Sequence, residues 1–429
     1  MMEIIENTFN MLYRWIFKEN PEAGPKRFFK NLGVIGICFA IAKVLTGLTN
    51  IAAGRLLGPN EYGKINLIIS TGAILSTCLL LGINYSIIKY GILPENHKKT
   101  ISTAFLFSAP YMLVFSLIVY FFRMEISSFF GISPQLLIFA IFYAAAISLF
   151  HIASSILQTL NKFKQRGLGE ISFAVIFLIT FALGIFLFGK TFKTMAYAYV
   201  LAFGAISLFL ILKLNSFIRP KFFDRKHLPK LTHYGIYFLG SGIGSFFIFN
   251  VQSLIINTYL SPKEVGIYAA YYLSTIGIAG YISHAIYAVL FPKSSGSTNR
   301  KRLWDLSIMF AKKLLPLIFV FFVLTETTVL TSMGKSQYGM DIKLIISFAV
   351  CGILMLIQSS LTQIILAQGI KAAKLALFMS LSAGLFNFIL CILLIPEFKI
   401  LSVPISFILT YSFMIIWLYT VKTRYLKTD

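Results

Sequence analysis

Along this chain, apolar stretches of about 20 residues alternate with short polar, Lys/Arg-bearing segments, and each stretch is long enough to cross ~30 Å of hydrocarbon as a helix. Twelve such spans have cores near 33–56, 64–88, 101–121, 135–159, 170–188, 195–212, 233–257, 265–290, 313–331, 343–366, 373–394 and 401–420. Uninterrupted runs such as Leu136 to Ile147 lack the in/out alternation of a membrane strand, so helices are expected. Composition agrees. Of 429 residues 58% are hydrophobic, and 38 Lys/Arg with 15 Asp/Glu cannot cover a water-soluble globule. The pattern predicts an all-α polytopic membrane protein.

The formal charge of +23 is spread in small groups between spans, which argues against a nucleic-acid surface. With twelve spans both termini share one side. That side (tails, even-numbered loops and the start of span nine) holds 28 of the 38 basic residues, the opposite side nine, and Lys43 alone lies deep within a span. The positive-inside bias then places both termini in the cytoplasm. Cys38, Cys78, Cys351 and Cys391 lie in apolar segments without CxxC spacing, so neither a metal site nor a disulfide framework is indicated. Residues 1–30 lack the form of a cleavable signal; Ile5, Phe9, Leu12 and Ile16 make the stripe of an amphipathic helix, or else belong to an unanchored tail.

The longest internal loop, with Arg219, Lys221, Arg225, Lys226 and Lys230, divides the chain into a segment at 1–30, a six-span bundle at 31–214, a basic cytoplasmic linker at 215–230 and a second six-span bundle at 231–429. Across that boundary LGPNEYG at 57–63 recurs as LSPKEVG at 260–266, four of seven positions identical at an offset of 203. The same offset maps Gly47, Asn50 and Gly54 onto Asn250, Ser253 and Asn257, each triplet on one helical face. A parallel repeat about the membrane normal sets two bundles around a central cavity and suits alternating access.

GRLLGPNEYGKINLIIS at 54–70 is similar to the first-loop signature of bacterial polysaccharide flippases, the O-antigen and capsule repeat-unit translocases of the MATE-like (MOP) exporter superfamily; LSPKEVGIYAAYYLST at 260–275 and the twelve spans extend the resemblance over nearly the whole chain. The resemblance implies movement of an undecaprenyl-diphosphate-linked oligosaccharide from the cytoplasmic to the periplasmic leaflet of the inner membrane. It further implies a cationic lumen between the bundles and pathway partners such as a glycan polymerase and glycosyltransferases.

A polar head crossing hydrocarbon needs a wet groove, and a diphosphate favours cations in it. Lys43, on a face with Gly47, Asn50 and Gly54, is the first candidate, against the alternative of snorkelling to the interface. Arg55 offers a planar fork for phosphate, or an interfacial anchor. Lys89 could meet the diphosphate at the cytoplasmic end or simply obey the charge bias. His151 heads a stripe with Ser154, Ser155 and Gln158, suited to sugar hydroxyls or to a buried packing role. Asn250 and Ser253 line the repeated face in span seven. Glu170 and Glu326 are the acids within spans available for H⁺ or Na⁺ coupling, with neutralisation of Arg166 or another cytoplasmic-side cation as the alternative for Glu170; no other cofactor and no metal is expected. Pro110, Pro316 and Pro404, and Gly240, Gly242 and Gly244 of GSGIG, are candidate bending points. HExxH, GxSxG and DxD are absent. A MATE-like cation-coupled drug or small-solute antiporter is the alternative function, followed by a membrane glycan polymerase or ligase.

Overall fold

The computed structural model describes residues 23–283, 286, 300–366 and 370–425. The expectation for the N-terminal stripe at Ile5 to Ile16 lies outside these residues. Among them, nine helices are long and apolar enough to cross a membrane, and a bent pair, Leu228–Phe249 with Val251–Tyr259, makes a tenth. Two of the ten are double. Gly36–Leu80 runs 45 residues, about 67 Å at helical rise, and breaks at Gly58, whose φ of 76° a glycine adopts without strain. The second apolar stretch, Lys374–Thr423, is divided at Lys399–Leu401. Resolved this way the helices give twelve spans.

Spans three to six are His97–Phe121, Pro134–Thr159, Phe163–Phe188 and Phe192–Lys213. Span eight is Pro262–Ser283, nine lies in Arg300–Tyr338, ten is Ile342–Leu366, eleven Ile370–Phe398 and twelve Ser402–Tyr425. Spans one to six pack mainly on one another, as do seven to twelve. Side chains such as Leu117, Phe186, Leu208, Leu317, Leu393 and Ile416 stand exposed around the outside, as a lipid-facing surface requires.

Inside the second lobe a polar network replaces part of the apolar core. Gln252 Nε2 donates to Asn387 Oδ1 at 2.5 Å, and Asn387 Nδ2 donates to Thr410 Oγ1 at 3.0 Å; all three residues are fully buried. These bonds tie spans seven, eleven and twelve together. Span seven bends by 43° at Asn250, not at its glycines. A Cβ at Gly242 would meet Thr77 at 2.7 Å, and one at Gly244 would meet Ser380 at 2.7 Å, so these glycines permit close helix packing. Helices run on through Pro110 and Pro316, and Pro404 sits in the first turn of its helix, where proline is tolerated.

The basic linker is fastened to span three. Ser102 Oγ donates to the Phe217 carbonyl at 2.6 Å and accepts from Arg219 N at 3.0 Å, while Thr103 Oγ1 accepts from Asp224 N at 3.0 Å. Lys99 pairs with Asp224 at 2.5 Å. Thr100 Oγ1 lies 3.1 Å from His227 Nε2. Burial, with Lys99 and Lys230 alongside, holds His227 below the usual histidine range. The Lys99 hydrogen bond, then the Lys226 amide, hold Asp224 below the ordinary aspartate value of 3.8. A carboxylate lowered on folding contributes stability above its unfolded value and loses it as pH falls through the folded one. Linker amides of Arg219, Asp224 and Lys226 are therefore expected to stay protected at neutral pH and to lose protection only below about pH 4. Asp224→Asn should show the loss already at pH 7, read by hydrogen exchange corrected for intrinsic rate.

Candidate functional site

The repeated loops supply the first piece of geometry. A Cβ built on Gly63 would lie 1.7 Å from the Pro262 carbonyl oxygen and 2.8 Å from Gly266 N; one on Gly266 would lie 1.9 Å from the Pro59 oxygen and 3.0 Å from Gly63 N. The two copies of the motif thus cross backbone to backbone, each glycine receiving the other copy's proline carbonyl. Around this crossing Tyr338 OH donates to Gly54 O at 2.7 Å, Asn257 Nδ2 donates to Gly131 O at 2.6 Å, and Met333 fills the space over Gly54. The end of the molecule opposite the linker is closed where the lobes meet.

Toward the linker end, spans two and seven form another close seam. Cβ atoms on Gly82 and Gly235 would meet the Gly235 and Leu81 carbonyls at 2.1 and 2.3 Å. Tyr85 stacks on Phe238 at 4.2 Å, and Ser86 Oγ donates to Leu231 O at 2.7 Å. Lys89 is exposed above this seam, its ammonium 3.7 Å from the Tyr234 ring centre, a cation–π contact that fixes the charge at the linker-side surface.

The ionic groups of spans one, four and five converge elsewhere in the first lobe. Lys43 is half-buried, and its ammonium lies 5.4 Å from the ring centre of Tyr281 in span eight, across the lobe boundary. The charges of Lys43 and Arg166 both act on His151 and on Glu170. His151 is exposed although Ile152 to Leu157 beside it are buried. An exposed side chain reached by charges from two other helices faces a space inside the protein. Arg166 donates from Nη1 to Gln158 Oε1, lies 5.6 Å from the Phe39 ring centre, and keeps a buried Nε without a partner. A Cβ on Gly47 would have nothing within 4 Å. Lys43, His151, Gln158, Arg166 and Glu170 therefore border one polar region with two basic groups, one acid and an aromatic lip, and Gly47 one turn from Lys43 leaves open space beside its helix.

Other sequence candidates fall outside it. Asn50 is buried, with Nδ2 donating to Thr46 O at 2.9 Å and Oδ1 accepting from Tyr199 OH at 3.2 Å. Its amide serves the interior of the first lobe, which corrects the expectation that it shares a lining face with Lys43. Gly54, on the same stripe, is covered by Met333. Arg55 is exposed at the closed end, with no hydrogen bond or ion pair among the described residues. Ser253 is buried, and half-buried Asn250 marks the bend of span seven. Glu326 is wholly buried in span nine, away from the cationic region, with Oε1 accepting from Thr275 Oγ1. No cluster of three metal-ligating side chains occurs among the described residues.

Tyr281 was not a candidate in the sequence, and Arg166 entered there only as a cation that Glu170 could neutralise. Arg166 precedes Glu170 by one helical turn, the spacing of an ion pair on one face, and that signal was available. Tyr281 carries no signature; only the meeting of the lobes brings it to Lys43.

The fold and this site define a membrane protein of two pseudo-symmetric helical lobes with a charged region inside the first. The chain belongs to the polysaccharide biosynthesis protein family, which it matches over residues 53–340. Among solved structures it resembles a lipid II flippase, MurJ, in an inward closed conformation, with a TM-score of 0.70, 16% identity, and coverage of 91% of this chain and 87% of that one. It also resembles an inward-facing multidrug resistance MATE family transporter of the MOP superfamily, with a TM-score of 0.66, 17% identity, and coverage of 92% and 99%. An outward-facing multidrug resistance MATE family transporter gives a TM-score of 0.62 at 17% identity, covering 93% and 97%. No curated protein matches its sequence. At these identities the structural likenesses establish the fold.

Proposed function

We propose that this protein is a flippase that carries an undecaprenyl-diphosphate-linked oligosaccharide, an O-antigen or related repeat unit, from the cytoplasmic to the periplasmic leaflet of a bacterial inner membrane. The observation that carries this reading is the pair Lys43 and Arg166 beside exposed His151. Two cations against one acid in a membrane-embedded region suit an anionic head group, and Arg166 has a buried donor to spare. Membership of a polysaccharide biosynthesis family supports a glycan as the cargo. The lipid tail stays in the bilayer while the diphosphate and sugars pass along the polar region. The basic-residue bias places the closure at the repeated loops on the periplasmic side and both termini, with the linker, in the cytoplasm. Glu170 acts here as the counter-charge that keeps two cations tolerable before the substrate arrives.

The rival reading is a MATE-like cation-coupled antiporter, whose substrates would be cationic or neutral solutes. Reconstitution into liposomes separates the two. A polyprenyl-diphosphate-linked oligosaccharide in the inner leaflet is expected to become accessible to an external lectin only in vesicles containing the protein. No glycan movement, together with proton-driven uptake of a fluorescent organic cation, would establish the antiporter instead.

A further inference from the structure

Among the described residues Glu326 is the one buried carboxylate that the cationic region leaves unused. Within span nine it is fully enclosed: Oε1 accepts from Thr275 Oγ1, and Oε2 is buried without a partner. The titratable groups that face it are Tyr271 from span eight and Cys351 from span ten; among the described residues no cation does. Spans one and two bring no ionisable side chain to it. Two features make this more than a satisfied core residue. Thr275 sits in a π-helical turn, Leu273–Gly277, an arrangement rare in helices and concentrated at functional sites. The turn is also stapled to span nine twice, because Thr325 Oγ1 donates to the Ser274 carbonyl at 3.1 Å. Gly352 in span ten leaves room for this packing, since a Cβ there would lie 2.9 Å from Thr275 Cγ2.

A carboxylate ion in such a pocket has no counter-charge, whereas the acid has no charge to compensate. A metal cation would want five or six oxygens, and the pocket offers few. One turn and a half beyond Thr275, the same helix carries Tyr281 to Lys43. We propose that Glu326 is a proton-binding site of the second lobe, and that its occupancy sets the π-helical turn and, through it, where Tyr281 meets Lys43. Loading transfers a proton from water to Oε2; release returns it, and the Thr275 hydroxyl donates to Oε1 in both states. The inference deepens the transport reading by naming a driving ion, but its test reads the protein alone and so stands or falls apart from the identity of the cargo.

Infrared spectra of the purified protein in lipid nanodiscs, recorded as pH is varied, provide that test. The expected result is a protonated-carboxyl C=O band at neutral pH that is lost in Glu326→Gln. The band should shift to higher frequency in Thr275→Val, which keeps the acid but removes its hydrogen bond. Exchanging sodium for choline at fixed pH should leave it unchanged. Hydrogen exchange of amides 274–278, corrected for intrinsic rate, should differ between acid and alkaline pH in the wild type and stay in the acid pattern in Glu326→Gln. Absence of any band sensitive to Glu326→Gln or Thr275→Val overturns the proposal, as does a band that responds to sodium. Exchange that changes with pH equally in both proteins overturns the link to the turn. Should Glu326→Gln fail to fold, the Thr275→Val shift decides alone.

Discussion

Replacing Gly63 by alanine, or Gly266 by alanine, is expected to hold the closure at the repeated loops ajar and to stop transport almost completely. Either new methyl would fall within 2 Å of a backbone carbonyl of the opposing lobe, and a backbone carbonyl on a helix cannot turn aside as a flexible side chain would. Relief comes only from moving the helices apart. Overpacking of this kind costs about 1–3 kcal/mol, roughly a 5- to 150-fold shift in the balance between closed and open forms. The measurement is labelling of a cysteine placed at Gly47, in a chain whose four native cysteines are replaced, by a maleimide that cannot cross the membrane. Labelling from the closed end should accelerate many-fold in either alanine variant. Gly204→Ala, where nothing lies within 4 Å of the added Cβ, serves as the control and should label like the parent. Unchanged labelling in Gly63→Ala would show that the crossing does not close the path.

Removal of either first-lobe cation is expected to have the next largest effect. Arg166→Ala deletes the donor to Gln158, the stacking on Phe39 and one of the two charges that balance Glu170. Lys43→Ala deletes the other charge and the contact with Tyr281. Truncating one member of a desolvated charge cluster costs about 2–5 kcal/mol, so binding of a polyprenyl diphosphate should weaken on the order of 30-fold or more. Lys43→Arg should recover most of this, because position and charge are kept. Arg166→Lys should recover less, because a lysine lacks the planar fork. Glu170→Gln is expected to strengthen binding by leaving the cations uncompensated. Isothermal titration of the purified variants with a short-chain polyprenyl diphosphate checks all five. Equal affinity in Arg166→Ala and the parent would remove the anion site from the mechanism.

Much of the fold is written in the chain because hydrocarbon imposes length and apolarity on each helix. The break at Gly58 falls between expected spans and the division at Lys399–Leu401 at the start of the twelfth, and all twelve expected cores lie on helices in their described parts apart from the turns at Leu81–Gly82 and Asn250. Positions along a helix are legible; azimuth is less so. Lys43, Gly47, Asn50 and Gly54 share one stripe, yet Lys43 borders the polar region, Gly47 faces open space, Asn50 turns to Tyr199 and Gly54 lies under Met333. A stripe is wide enough to touch two different neighbours, and only tertiary packing assigns each residue to one. The bend of span seven shows the same limit. Flexible glycines at GSGIG pointed to a hinge there, but close contact with spans two and eleven uses that flexibility, and the bend moves to Asn250. Arg166 was hidden for a different reason. Counted among the basic residues of a loop and as a partner for Glu170, it satisfies a statistical bias, and a place beside Lys43 is seen only in the folded chain.

The mutual fit of Pro59 to Gly63 with Pro262 to Gly266 has a bearing on origins. When each of two like segments supplies the groove that the other fills, the arrangement is self-complementary, as at the interface of a two-fold homodimer. A six-helix ancestor bearing one such segment would already have possessed both halves of the fastening. Gene fusion would then have had nothing to invent at this end of the molecule, leaving each copy free to diverge in the charged interior while the fastening held both to a common pattern.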